Sequence, residues 1–493
     1  MADLNEKKTS DPEKSSCEKG ALKNFQSQPP FSAEAEQKLV RKVDFMLLPI
    51  MLFAYMMAFL DKQALNYTSL MGLREDLGLV GSQYSWSSSI FYFGYLFFSP
   101  IASMLLVKFP LGKYLAMNFI IWSIVLACHA AATNFTGIMI TRFFLGATEA
   151  SISPGFSLIT SLWYRSSEQP LRHGIWFCGN SLSLIFGNLI AVGIWQIESG
   201  IKAWQWLFII FGLVTFLWGI LMLFRLPDSP ADATFLNEEE RAIALHRLAS
   251  NKAGFKSNKI NRDQIVEALT DPKTYLLGIY ILAANIPNGG FTTFSGLILQ
   301  GFGYSTFHTL LLGIPGGFVV FLLVLSSCLI ASKVRKSRLI VSIVMTILSV
   351  IGSALVYATT ANVSRYIGLI LMGAYSAALP VIMAMISSNV GGFTKRSTVN
   401  AIFFVMYCVG NVIGPQLFFE NEAPRYQSGL QAILICLVVV VVDCIALLLY
   451  LRRENMKRDR MGLDNTADIG DSDGIYGLRD VTDLKNPAFR YVY

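Results

Sequence analysis

Charged residues are scarce in this chain: Asp, Glu, Lys and Arg make up 15% of its 493 residues, against 53% hydrophobic residues. Soluble domains usually contain about 25% charged residues, so this balance excludes an ordinary soluble protein. The formal net charge is +7, but Lys and Arg lie in short clusters between apolar runs. We interpret these clusters as loop charges beside a membrane and expect no nucleic-acid partner.

Motifs for several other classes of protein are also absent. The seven cysteines show no Cys-x-x-Cys or Cys/His spacing, which disfavours a metal site or a disulfide framework. A phosphate-binding loop is missing, since Gly112-Lys113 is preceded by Val107 where the motif needs glycine and followed by Tyr114. No nucleophile/base pair is visible. We therefore expect neither an enzyme nor a bound cofactor or metal, and any pumping must use an ion or solute gradient.

Long apolar runs, by contrast, are abundant. About 20 apolar residues suffice for a helix to cross a bilayer. The chain has six such runs, a polar segment and six more, near 43–64, 84–106, 114–133, 137–163, 174–196 and 205–225, then 275–298, 307–331, 338–358, 365–389, 398–418 and 428–450. We predict an all-α integral membrane protein with twelve transmembrane helices in two pseudo-symmetric halves of six.

Five regions follow from this pattern. They are a disordered cytoplasmic N-terminus (1–42), an N-terminal six-helix half (43–226), a cytoplasmic linker with a helix (227–272), a C-terminal six-helix half (273–451) and a cytoplasmic C-terminal tail (452–493). Asn237 and Glu240 have the spacing of a reciprocal helix cap in the linker. Lys and Arg cluster in alternate loops, which predicts that both termini are cytoplasmic. Two halves joined by a long loop are typical of transporters with a midplane binding site.

The predicted fourth span carries two charges, Arg142 and Glu149. Seven residues on an α-helix turn through about 700°, so both side chains share one face, roughly 10 Å apart along the axis. Ionisable residues inside a span are functional candidates because each is costly to bury without a partner. Two interpretations stay open: a structural ion pair that locks helices, or a site that handles a solute and protons.

The residues around these charges resemble a known family. The blocks DKQALNYTSLMGLREDLGLVGSQYSW (61–86), RFFLGATEASISPG (142–155), NIPNGGFTTFSG (285–296), TKRSTVNAIFFVMYCVGNVIGPQLF (394–418) and the ending DLKNPAFRYVY (483–493) are similar to the major facilitator superfamily. Within it they resemble the fungal anion:cation symporters of the allantoate permease family. Many relatives have Asp-Arg where this chain has Asp61-Lys62, and lysine lacks the two-pronged grip of arginine on a carboxylate.

The resemblance implies a secondary active transporter, namely a monomeric, multi-pass permease of the plasma membrane or, alternatively, of the endoplasmic reticulum or vacuole. It implies proton-coupled uptake of a small organic anion, with allantoate-like ureido acids, short peptides and sulfur-containing acids as candidate substrates. The partners would be that anion, protons and the lipid bilayer. Two alternatives remain open: a metabolite or drug exporter of the same fold, disfavoured because the fifth span lacks a Gly-Pro pair, and a nutrient sensor that does not transport.

Residue chemistry suggests roles within such a site. Arg142 can grip a carboxylate, and Glu149 can bind and release a proton as the charge beside it changes. Asp61 and Lys62 are either an interfacial pair near the outer end of the first span or a proton-coupling acid and a substrate-binding cation.

Polar residues of the second half are further candidates. Asn288 lies where Pro287 and two glycines should break the seventh span, and either contacts substrate or marks a kink. Tyr407 and Asn411 share a helix face with Asn400, and either bind substrate or join helices.

Overall fold

The computed structural model describes residues 32–165, 168–198, 200–250, 261–334, 336–460, 481–486 and 489–493. Within these ranges the chain forms helices and loops, and no strand occurs. The N-terminus predicted to be disordered lies outside the described residues up to residue 31. From Ala33 onward the chain is helical, ten residues before the predicted start of the first span at 43. Ion pairs from Glu36 to Arg165 and from Lys42 to Glu240 hold this polar extension.

The N-terminal half consists of α1 (Ala33–Leu70), α2 (Gln83–Lys108), α3 (Leu111–Cys128), α4 (Phe135–Glu149), α5 (Ile152–Trp163), α6 (Gln169–Phe177), α7 (Gly179–Trp195) and α8 (Ala203–Arg225). The linker contains α9 (Glu238–Ser250) and α10 (Arg262–Thr270). The C-terminal half consists of α11 (Pro272–Gln300), α12 (Thr306–Lys333), α13 (Arg338–Ala358), α14 (Asn362–Met372), α15 (Leu379–Asn389), α16 (Phe393–Gln416) and α17 (Gln427–Arg460).

Ten helical stretches in the described ranges are long and apolar enough to cross a membrane. The other two predicted spans are also helical. The predicted span 137–163 is divided at Ala150 and Ser151 into α4 and α5, which have 15 and 12 residues. The predicted span 275–298 lies within α11, a helix of 29 residues whose interior carries Asn285 and Asn288. An all-helical, multi-pass membrane architecture is confirmed, in which one of these two spans is divided into shorter helices and the other contains polar residues.

The linker is shared between the two halves. Its first helix starts with the predicted reciprocal cap: the Glu240 N–H donates to Asn237 Oδ1 (2.7 Å) and the Asn237 N–H donates to Glu240 Oε2 (2.9 Å). Arg247 of α9 then pairs with Glu168 of the N-terminal half at 2.7 Å. In α10, by contrast, Glu267 pairs with Lys395 of the C-terminal half at 3.0 Å. Each end of the linker is therefore fastened to the half nearest to it in sequence.

The two halves are joined by α1 against α11, α2 against α16 and α7 against α12. We call the end of the bundle nearest the linker the linker end, and the other the far end. In the described part of the chain, the hydrogen bonds that join the halves lie toward the far end. Asn66 bonds Ser295 (3.2 Å) and the Gly296 N–H (3.0 Å), and the Ser88 and Thr293 hydroxyls are 2.7 Å apart. Within the described ranges, hydrogen bonding between the halves is thus concentrated at the far end.

The end of the C-terminal tail packs against the C-terminal half. Asp483 accepts hydrogen bonds from Lys273 at the start of α11 and, at 2.9 Å, from Lys395 of α16. Lys395 also lies 2.8 Å from Asp271. Both lysines and both aspartates are at most 2% exposed. We call these four residues, together with Glu267, the tail cluster.

A second set of bonds holds the tail behind this cluster. Arg458 of α17 donates to the Asp483 carbonyl and to the Tyr491 hydroxyl, each at 2.9 Å. The Tyr491 hydroxyl in turn donates to the Asp483 carboxylate at 2.8 Å. Residues 481–486 and 489–493 are therefore a packed part of the C-terminal half, which the prediction of a plain tail did not include.

Candidate functional site

A largely buried ion pair joins α1 to α4. Lys62 Nζ of α1 is 2.6 Å from Glu149 Oε1, at the last residue of α4. The Glu149 side chain is 2% exposed and that of Lys62 is 19% exposed. The second carboxylate oxygen of Glu149 accepts no hydrogen bond from the described residues. The prediction that placed Lys62 at the outer end of its span is wrong, because α1 extends eight residues further to Leu70.

Aromatic rings surround this ion pair. Lys62 Nζ is 5.5 Å from the ring centre of Phe91 and 5.7 Å from that of Tyr95, both on α2. Two rings of α16 complete the set from the other half: Phe404 is 5.3 Å from Tyr95, and Tyr407 is 6.0 Å from Tyr92. The ion pair therefore lies beside the junction of the two halves, where both can contact a bound solute.

Arg142 bonds to backbone carbonyls rather than to an acidic side chain. It is 2% exposed, as is Glu149, so both residues of α4 are buried as their spacing indicates. However, Arg142 donates to two backbone carbonyls, of Asp61 through Nη1 and of Ser87 through Nε, each at 3.2 Å. No carboxylate in the described residues lies within 4.0 Å of its guanidinium. Arg142 thus joins α1, α2 and α4, while Lys62 is the direct partner of Glu149.

Asp61 is completely buried and forms no ion pair with another described residue. Neither carboxylate oxygen accepts a hydrogen bond from the described residues. The indole of Trp122 lies beside it and interacts with it at most weakly, since Nε1 makes no hydrogen bond of good geometry with a described residue. A buried carboxylate without donors is costly in its charged form. Asp61 is therefore suited to hold a proton next to the Lys62–Glu149 pair.

The predicted polar residues of the C-terminal half form a closed network. Asn288 Nδ2 donates to Asn411 Oδ1 (2.8 Å), and Asn411 Nδ2 donates to Asn285 Oδ1 (3.0 Å) and to the Tyr407 carbonyl (2.9 Å). The Tyr375 hydroxyl donates to Asn288 Oδ1 at 3.0 Å. These amides satisfy one another across α11 and α16. Asn288 and Tyr407 are half-buried, whereas Asn411 is fully buried.

Asn411→Ala should lower the thermal stability of the protein. The substitution removes three hydrogen bonds, and bonds between membrane helices contribute on average about 0.6 kcal/mol each. Asn400→Ala is the matched control, because Asn400 is exposed on the same helix. Melting of purified protein, followed by size-exclusion chromatography, should show a lower midpoint for Asn411→Ala alone. Equal midpoints for both variants would mean that the network does not stabilise the bundle.

Sequence reasoning identified Tyr407 but missed the other aromatic residues beside the ion pair. Tyr92 and Tyr95, like Phe404 and Tyr407, are three residues apart and so share a helix face. The same pattern occurs in any helix of a membrane bundle, so spacing alone could not identify Tyr92, Tyr95 or Phe404. In the described ranges, no three His, Cys, Asp or Glu side chains come together as metal ligands.

Comparison with known proteins agrees with this architecture. Residues 51–415 match the family model described as Major Facilitator Superfamily. The chain is 36% identical to the allantoate permease of Saccharomyces cerevisiae, over 93% of this chain and 87% of the permease. It is 33% identical to the thiamine pathway transporter THI73 of the same yeast, over 94% and 87% of the two chains. An uncharacterized transporter of Schizosaccharomyces pombe is 37% identical, over 93% and 90%.

Among solved structures, the fold is similar to a bacterial homologue of the human lysosomal transporter Spinster in an inward-facing, occupied conformation. The TM-score is 0.60 at 14% identity, covering 83% of this chain and 96% of the bacterial one. At that identity the likeness concerns the fold alone. Together with the family match over most of its membrane region, these relatives show that the chain belongs to the major facilitator superfamily and is a multi-pass membrane transporter similar to allantoate permease.

Proposed function

We propose that this transporter takes up a small organic anion together with a proton. The observation that carries the proposal is the buried Lys62–Glu149 ion pair, which lies beside the junction of the halves with the unpaired acid Asp61 one residue away. A relative named for allantoate, itself an organic anion, supports an anionic substrate. Ureido acids, short peptides and sulfur-containing acids remain the candidate classes.

The coupling follows from competition for one cation. Protonation of Glu149 removes its charge and breaks the ion pair, which leaves the Lys62 ammonium free to bind a substrate carboxylate. When the substrate leaves, Lys62 again favours the ionised form of Glu149, and the proton departs. Anion and proton therefore bind together: the proton frees Lys62 for the anion, and the anion at Lys62 favours the protonated form of Glu149.

Charge balance supports the uptake of one proton with each monovalent anion. Lys62 and Arg142 carry two positive charges, against one negative charge on the ionised Glu149 while Asp61 holds a proton. One proton and one monovalent anion leave that sum unchanged, which matters where charge is costly. Arg142 remains a second candidate cation for the substrate, provided that it exchanges its bonds to the carbonyls of Asp61 and Ser87.

The distribution of Lys and Arg supports a cytoplasmic linker end with both termini inside the cell. The 227–272 linker and the 452–493 tail would then be cytoplasmic, and substrate would enter from the far end. A plasma-membrane location fits a permease that takes up solutes from the medium. The two six-helix halves, 43–226 and 273–451, would rock about the Lys62–Glu149 site.

Glu149→Gln should separate substrate exchange from accumulation. Glutamine cannot carry the proton and does not compete strongly for Lys62, so the anion still binds and crosses. We expect loaded cells to exchange labelled for unlabelled anion at a rate similar to that of the parent protein. Net accumulation against a gradient should be lost. If the variant still concentrates the anion, Glu149 is not the coupling group.

The experiment that tests the function is uptake of labelled ureido acids, dipeptides and sulfur acids by cells that produce the protein. Uptake is compared at acidic and neutral outside pH, with and without a protonophore. The proposal predicts that one anion accumulates, more at acidic pH, and that the protonophore abolishes accumulation. Efflux of a preloaded compound without uptake would favour an exporter. Absence of any flux, with the protein confirmed at the cell surface, would favour a sensor.

A further inference from the structure

One ion pair of the described residues joins the two halves, and it lies at the far end. Arg74 Nη2, between α1 and α2, is 2.8 Å from Glu420 Oε1, between α16 and α17. The other oxygen of Glu420 accepts the Gly81 N–H at 2.5 Å. The Glu420 carboxylate thus contacts the N-terminal half through two donors at once.

Every other ion pair within the described ranges lies inside one half or ties the linker or the tail to one half. The linker end carries many charges, yet none of these pairs crosses from one half to the other there. Among the described residues, ion pairing between the halves therefore occurs at the far end.

Buried aromatic contacts lie directly beneath this pair. The Arg74 guanidinium is 5.4 Å from the ring centre of Tyr84, and the Tyr84 hydroxyl donates to the Thr293 carbonyl at 2.8 Å. The Tyr84 ring packs against Phe294 of the other half at 5.3 Å. Phe294 in turn stacks on Phe418 at 4.5 Å. The ion pair thus lies over a seal that must open whenever the far end opens.

We propose that Arg74 and Glu420 form an electrostatic latch that holds the far end closed and sets the resting conformation of the transporter. In a protein that alternates between two open ends, an interaction made in only one conformation shifts the population toward it. The arrangement favours a resting state that is open at the linker end. This inference rests on contacts between the halves and requires neither the proposed substrate nor proton coupling.

A reporter cysteine at Ser85 tests the latch. Ser85 is 3% exposed and lies beside Arg74, Tyr84 and Glu420, so a thiol there should react only when the far end opens. The Ser85→Cys protein is purified in lipid nanodiscs without substrate and labelled with a hydrophilic maleimide. Labelling of the chain without Ser85→Cys is subtracted, since native cysteines are present. The rate then reports the fraction of protein open at the far end.

Adding Glu420→Gln to the reporter should raise the labelling rate about fivefold, because a partly exposed ion pair contributes up to about 1 kcal/mol. Arg74→Glu should raise it further through repulsion of Glu420. The double reversal Arg74→Glu with Glu420→Arg should return the rate toward the parent value. Lys202→Gln is the control, because Lys202 pairs with Asp76 at the same end but inside one half. It should leave labelling unchanged.

Two results would overturn the latch. One is a parental labelling rate in both Glu420→Gln and Arg74→Glu proteins that elute as folded monodisperse peaks. The other is a double variant, Arg74→Glu with Glu420→Arg, whose reporter is labelled as fast as in Arg74→Glu alone, because restoring the attraction should close the far end again. If Arg74→Glu fails to fold, the labelling rate of the conservative Glu420→Gln variant alone tests the latch. Either negative result leaves the Lys62–Glu149 proposal intact, because no substrate is present.

Discussion

Lys62→Met is expected to lower the efficiency of anion uptake about 10- to 100-fold. A hydrogen bond to a charged group contributes about 1.5–3 kcal/mol, and each 1.4 kcal/mol is a factor of ten. Methionine keeps the length and apolar stem of lysine but cannot attract a carboxylate. Initial rates over a range of substrate concentrations give kcat/KM for parent and variant, normalised to protein at the membrane.

Loss of transport could also follow from misfolding, since Lys62→Met leaves Glu149 buried without its cation. The double variant Lys62→Met with Glu149→Gln removes both charges and should fold as well as the parent, yet still not transport. Lys113→Met is the matched control, because Lys113 is a 68% exposed lysine in a loose pair with Asp228. Substantial uptake by the neutral double variant would show that Lys62 does not bind the substrate.

Asp483→Ala should destabilise the C-terminal half by about 3–5 kcal/mol, the usual cost of breaking a buried ion pair by removing one partner. Lys273 and Lys395 are both buried and both bond this carboxylate, so its removal leaves two ammonium groups undercompensated. The Tyr491 hydroxyl and Arg458 lose their positions as well. Thermal melting of purified protein should show a much lower midpoint.

Asp459→Ala is the control for that measurement. Asp459 is a 60% exposed residue that pairs with Arg490 near the same tail, so we expect a change of less than about 1 kcal/mol. An Asp483→Ala protein as stable as Asp459→Ala would mean that the tail cluster does not hold the half together.

The tail cluster also predicts how stability depends on pH. Burial alone would raise the pKa of the Asp483 carboxyl, but Lys273 and Lys395 outweigh burial and hold it below its usual value near 3.8. A carboxyl whose pKa is lowered by folding stabilises the protein above its unfolded pKa and loses this effect as the pH falls through the folded pKa. The contribution of Asp483 should therefore be constant near neutrality and decline only below about pH 4.

The fold was predictable because the length of an apolar run is a strong signal for a membrane-spanning helix. Ten spans follow directly from it, and the remaining two were found although they carry Arg142, Glu149 and Asn288. The ends of the helices could not be predicted from composition. The polar start of α1 at Ala33 depends on ion pairs with α9 and Arg165, which are tertiary contacts.

The sequence identified the charged residues of the site but not which of them form an ion pair. Charges inside apolar runs identified Arg142 and Glu149, and the neighbouring block identified Asp61 and Lys62. The choice of Lys62 as the partner of Glu149 depends on how α1 packs against α4, which spacing within one helix cannot show. The packing of Asp483 was likewise hidden, because its two lysines lie 210 and 88 residues away in the chain.

The most direct test of the coupling mechanism is proton movement driven by the anion. Parent protein is reconstituted into liposomes that contain a pH-sensitive dye, and the transported anion is added outside at equal pH on both sides. The account predicts acidification of the liposome interior that requires the protein and saturates with the anion. Entry of labelled anion without any change in internal pH would contradict the coupling of Lys62 and Glu149.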